Sequence, residues 1–102
     1  MASSKEYLEY VLENLADAEV TYRPMMGEYL LYYRGKLFGG IYDDRFLVKV
    51  TKSAESVIAE APRAIPYDGA KEMLLVEDIE DRDLLRALLD ALYRDLPAPK
   101  KK

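Results

Sequence analysis

The sequence predicts an α+β protein: a two-layer α/β sandwich in which helices cover one face of a mostly antiparallel sheet. Three observations carry this reading. Residues 20–50 hold short apolar stretches parted by turn residues, the pattern of successive hairpins. Helical apolar periodicity flanks that region towards both ends of the chain. The chain has 102 residues and no cysteine, so a single core must hold it together without disulfides.

The first element is a helix over 4–17. Ser3 and Glu6 have the spacing of a capping box. Leu8, Val11, Leu12 and Leu15 then recur at helical spacing beside Tyr7, with Glu6, Glu9, Glu13 and Asp17 on the other face. A strand is expected near Val20–Met26, where Pro24 cannot donate to a ladder and so suggests an edge or a strand end. Tyr29–Tyr33, the turn Arg34-Gly35 and Lys36–Tyr42 read as a hairpin, Gly35 supplying the positive φ of a tight turn. Asp43-Asp44 turns the chain into Arg45–Val50. There Phe46, Val48 and Val50 share one face, and Arg45, Leu47 and Lys49 the other, the alternation of a sheet with one buried face.

Ser53 is placed to cap a short helix through Ala61, with Val57 and Ile58 inward. Residues 62–71, with Pro62, Pro66 and Gly69, read as a loop, and Met73–Val76 as a short strand. Asp78 or Asp81 opens the last helix. Its Leu84, Leu85, Leu88, Leu89, Leu92 and Leu96 form a broad apolar face, and Pro97 closes it. The expected order is α-β-β-β-β-α-β-α, with a domain over 1–96 and a disordered basic tail over 97–102.

Composition narrows the chemistry. With neither cysteine nor histidine, thiolate nucleophiles, thiolate metal sites and the commonest general base near neutral pH are excluded. The net charge is −4, divided evenly between the two halves of the chain. A duplex-binding surface carries an excess of Lys and Arg, so no direct nucleic-acid contact is expected. No apolar run approaches a membrane span and the N-terminus has no signal-peptide core, which makes the cytoplasm the default location.

Several clusters invite a chemical reading and have a simpler one. Glu77, Asp78, Glu80, Asp81 and Asp83 lack the alternating ligands and central Gly of a calcium loop, and they stand where a helix begins, where carboxylates cap and oppose the dipole. Asp43 and Asp44 occupy a hairpin tip rather than a catalytic pair. Tyr29, Tyr32, Tyr33 and Tyr42 suit sheet packing and protein contact better than base stacking in an acidic chain. Gly39-Gly40 is more informative. Two glycines inside an apolar strand weaken it, and they mark a bulge or a close approach by backbone or ligand. Gly27 has a related place before the Tyr29 strand. Arg23, Arg45 and Lys49, with Glu28 and Tyr67, are the candidates for an anion pocket, set against a plain reading as solvated cross-strand ion pairs.

The run Arg23-Pro24-Met25-Met26-Gly27-Glu28-Tyr29-Leu30-Leu31-Tyr32, then Gly35–Ile41, then Asp43-Asp44-Arg45-Phe46-Leu47-Val48-Lys49, resembles the core of the TfoX N-terminal domain family. Pro66-Tyr67 and Met73-Leu74 resemble later positions of that pattern. Met26, Glu28 and Asp44 stand where the family commonly has Phe, Gly and Gly. The resemblance covers about residues 5–96. It implies a fold similar to type III secretion chaperones and no catalytic activity. It also implies kinship with longer proteins that regulate natural competence. The resulting expectation is a non-enzymatic regulatory or protein-interaction module with a protein partner or a homodimer, no cofactor, no metal and no membrane. The binding residues would be Arg23, Gly27, Glu28, Gly39, Gly40, Arg45, Lys49 and Tyr67. The rival expectation is a small-anion-binding or weakly catalytic domain.

Overall fold

The computed structural model describes residues 4–15 and 19–96. The elements run α1 (Lys5–Asn14), β1 (Val20–Met25), β2 (Glu28–Tyr33), β3 (Lys36–Ile41), β4 (Phe46–Val48), α2 (Lys52–Val57), β5 (Arg63–Ala64), β6 (Met73–Leu75) and α3 (Arg82–Asp95). The strands form one six-stranded sheet in the order β1-β2-β3-β4-β6-β5, with every neighbouring pair antiparallel. The antiparallel α+β architecture of the sequence reading holds. β5 is an addition, a two-residue edge strand inside the segment expected to be loop. The tail at 97–102 lies outside the described residues.

Three two-residue turns build the first four strands. Met26-Gly27, Arg34-Gly35 and Asp43-Asp44 all have positive φ at both positions. That conformation matches the right-handed twist of the strands it joins. The Asp43-Asp44 turn closes with Tyr42 and Arg45 exchanging both backbone hydrogen bonds, at 2.9 and 3.0 Å.

The helix caps agree with the spacing at α3 and differ from it at α2. Ser4 caps α1, its Oγ accepting from the Tyr7 amide at 3.1 Å, while Ser3, the cap expected from the spacing, lies outside the described residues. Thr51, not Ser53, caps α2, accepting from the Ala54 amide. Ser53 instead donates its amide and its hydroxyl to Asp95 at the end of α3. α2 stops at Val57 rather than Ala61. Asp81 caps α3 through the Leu84 amide.

The core lies between the helices and one sheet face. Leu8 and Val11 of α1, Ala54 of α2 and Leu85, Leu88, Leu89 and Leu92 of α3 pack on Leu31, Phe38, Ile41, Phe46, Val48 and Leu74. Phe38 and Phe46 meet edge to face, centroids 6.3 Å apart. Lys36 ties the far end of α3 to the sheet. Its ammonium donates to the carbonyls of Tyr93 and Leu96 and lies 3.9 Å from the Tyr93 ring centroid.

The expectation of one buried face fails at β4. Leu47, on the face away from the core, is 0% exposed. The chain between β5 and β6 folds back across that face and buries Pro66. The second face of the sheet is therefore half covered, and this partial cover shapes the candidate site.

Candidate functional site

Antiparallel partners share a face, so the register identifies the side chains that point away from the helices. Met25 pairs with Glu28, Arg23 with Leu30, Leu30 with Gly40, Tyr32 with Leu37 and Gly40 with Leu47. A groove of about 600 Å³ opens on this face. Leu30, Leu37 and Met73 line its apolar part, with Met25 from the β1 side. Tyr42, Pro66, Tyr67 and Ala70 form the opposite wall, and Lys49, Lys71 and Glu72 supply the charge. Its size falls within the range of small-ligand pockets, roughly 300–1,000 Å³.

The two glycines do different work. The β2–β3 register shifts between Leu31 and Tyr32, so Phe38 is the extra residue of a bulge. Gly39 follows it, pressed against β4. A Cβ there would collide with the Leu47 carbonyl oxygen and lie 2.9 Å from Val48 Cα. Gly40 lies beneath an aromatic ring, where a Cβ would stand 2.5 Å from the Tyr29 carbonyl oxygen and 2.8 Å from Tyr42 Cε2. Its bare backbone lets the Tyr42 ring settle onto the sheet at 6% exposure. Tyr42 in turn meets Tyr67 at 6.1 Å between centroids, joining the sheet to the covering loop.

Electrostatics favour a neutral hydroxyl on that wall. Burial pushes the Tyr42 phenol above its ordinary value, and Tyr67, Glu28 and Tyr32 push it the same way. Glu28 also accepts a hydrogen bond from the Asp43 amide at 3.2 Å, bracing the neighbouring turn. Arg45 is engaged structurally. Its guanidinium donates to the carbonyls of Tyr42 and Ile65 at 3.1 and 3.3 Å, which clamps the covering loop to the β3–β4 turn.

Of the eight residues singled out in the sequence, Gly39, Lys49 and Tyr67 line the groove. Gly40 sits under its Tyr42 wall, and Arg45 and Glu28 brace that wall from outside. Arg23 is exposed on the edge strand β1, and Gly27 lies in the β1–β2 turn. Arg23, Arg45 and Lys49 thus do not converge on one anion pocket. Met25, Leu30, Leu37 and Lys71 line the groove without having been singled out in the sequence, and Tyr42 was weighed there only for packing and protein contact. The signal was the unbroken apolar run Tyr29–Tyr33, which puts apolar side chains on both faces of β2. Among the described residues no group of three or more His, Cys, Asp or Glu could hold a metal ion. No helix among them is long and apolar enough to cross a membrane.

A six-stranded antiparallel sheet, helices on one face and a half-covered groove on the other define a small α+β domain. Residues 12–94 match the TfoX N-terminal domain, and the chain belongs to that family, a non-catalytic one. A protein of Spirochaeta aurantia described as an uncharacterized 12.7 kDa protein in the trpE 5′ region is 31% identical over 102 residues, covering 98% of this chain and 89% of that protein. No solved structure matches the chain.

Proposed function

We propose that this chain is a non-enzymatic regulatory or protein-interaction module that receives an apolar segment of a protein partner in its open-face groove. The observation that carries the reading is the half-covered sheet face. Leu30, Leu37 and Met73 line an open concavity where a sheet serving only as scaffold would present polar side chains. The exposed apolar residues Val50, Ile65 and Tyr67 lie in or next to the same region. A regulatory role linked to competence and a fold kinship with type III secretion chaperones belong to this proposal through the family resemblance, and a cytoplasmic setting belongs to it through the sequence reading. The acidic balance supports a protein partner over nucleic acid.

The test compares wild type with Leu37→Glu in capture experiments from the source cells, with urea unfolding to verify the fold. The variant is expected to lose a discrete partner while keeping its unfolding midpoint. Equal capture by both proteins would sink the groove as the contact surface.

A second reading is favoured by Lys49 and Lys71. Among the described residues neither ammonium has an ion-pair partner, and both border an apolar groove in a chain of net charge −4. That combination suits a small apolar carboxylate or sulfonate. The fluorescent probe anilinonaphthalene sulfonate separates the two readings. Saturable binding abolished by Lys49→Met would support the small-anion site, and binding indifferent to both lysines would dismiss it.

A further inference from the structure

The edge strand β1 carries an inference that does not depend on the groove. Thr21, Tyr22, Arg23 and Pro24 are all exposed, so neither helix nor loop covers this strand on either face. The Arg34 amide donates to the Glu19 carbonyl at 3.0 Å, which fixes the phase of the β1–β2 ladder. By the alternation of antiparallel pairing, Thr21, Arg23 and Met25 then bond towards β2. Val20, Tyr22 and Pro24 turn their backbone groups outward. Pro24 has no amide to offer there, so strand addition is confined to the stretch around Val20 and Tyr22.

That stretch is self-complementary. We infer that β1 pairs antiparallel with β1 of a second copy about a twofold axis at Thr21, giving a weak dimer with one continuous sheet. In this register Val20 of each chain faces Tyr22 of the other and the two exchange both backbone bonds, with no demand on Pro24. Thr21 faces Thr21. Glu19 faces Arg23 on the open side of the sheet, in the closer, non-hydrogen-bonded class of pair. Arg23 has no ion-pair partner among the described residues, and Arg34 engages one oxygen of an otherwise exposed Glu19. An axis at Tyr22 instead would set Val20 against Pro24, leave the Val20 carbonyl without a donor and place Arg23 opposite Thr21. Charge and hydrogen bonding both select the Thr21 axis. The contact is short, so association is expected to depend on concentration rather than to be permanent.

The absence of cysteine permits a clean test on the full chain. Non-hydrogen-bonded partners have Cα atoms about 4.5 Å apart, within disulfide reach. Thr21→Cys should form a covalent dimer under mild oxidation at least about tenfold faster than Met26→Cys, whose side chain is 97% exposed but lies off the pairing register. Tyr22→Cys, the probe of the alternative axis, should also lag. In sedimentation, Arg23→Glu should weaken the dimer roughly tenfold by opposing two carboxylates at each end. Glu19→Arg combined with Arg23→Glu should restore it. A wild-type chain that stays monomeric into the millimolar range, or a Thr21→Cys variant that crosslinks no faster than Met26→Cys, would overturn the inference. Neither result bears on Leu37 and the groove.

Discussion

Any side chain at Gly39 would run into the β4 backbone, whereas at Gly40 part of the obstruction is the movable ring of Tyr42. Valine raises strand propensity, so a plain strand would tolerate it. Here Gly39→Val should lower stability by about 1–3 kcal/mol through overpacking, and Gly40→Val should lower it too, because the Tyr29 carbonyl oxygen obstructs a Cβ there even when the Tyr42 ring moves. Urea midpoints decide this, and a Gly40→Val chain would also expose Tyr42 to solvent quenching of its fluorescence. The opposite sign is expected at Met26. It holds φ 50° in an exposed turn, a left-handed conformation that strains most L residues and that Asn adopts readily. Met26→Asn should therefore stabilise the chain by about 0.5–1 kcal/mol, read as a higher thermal midpoint.

The helix ends are wired to distant parts of the chain, and two of these links make predictions. Lys36 satisfies the last carbonyls of α3 while facing the Tyr93 ring. Lys36→Met keeps the apolar stem and removes the charge, and should cost about 1–2 kcal/mol. Asp95 accepts from the Ser53 amide, the main cause holding its carboxyl below the ordinary range, with further hydrogen bonds from Ser53 and Thr51. A carboxyl depressed in the folded state stabilises above its unfolded pKa and loses that contribution as pH falls through the folded one. Wild type should accordingly lose more stability than Asp95→Asn between neutral pH and strong acid, as measured by urea titration across that window. Much of the element order was legible because its signals are local. Gly35 and Asp43-Asp44 announced turns, and the leucines of α3 announced a helix. The Asp95 link was not legible, since Ser53 looks like a cap until Thr51 takes that role and α3 arrives from forty residues away. β5 escaped notice because Arg63-Ala64 is too short to show alternation. The double burial of Leu47 depends on a loop that follows it by about twenty residues, and strand periodicity carries no record of that.

At the scale of the whole molecule, the sheet divides the labour. One face builds the hydrophobic core with three helices, and the other is closed only where the loop from Ile65 to Glu72 crosses it. Arg45 and the Tyr42–Tyr67 contact hold that loop in place, so the groove is a product of the fold and not of one motif. Glycines and turn residues were visible in the sequence, and so was the basic residue Lys49. Their convergence was not, because it needs the register of four strands together. The proposed contact surface is the open face rather than the helix layer. Site-specific photo-crosslinking in the source cells tests it most directly, with the crosslinker placed at Leu37 in the groove or at the exposed Glu9 on α1. A discrete heavier adduct is expected from Leu37 and none from Glu9. An adduct from Glu9 with none from Leu37 would contradict it.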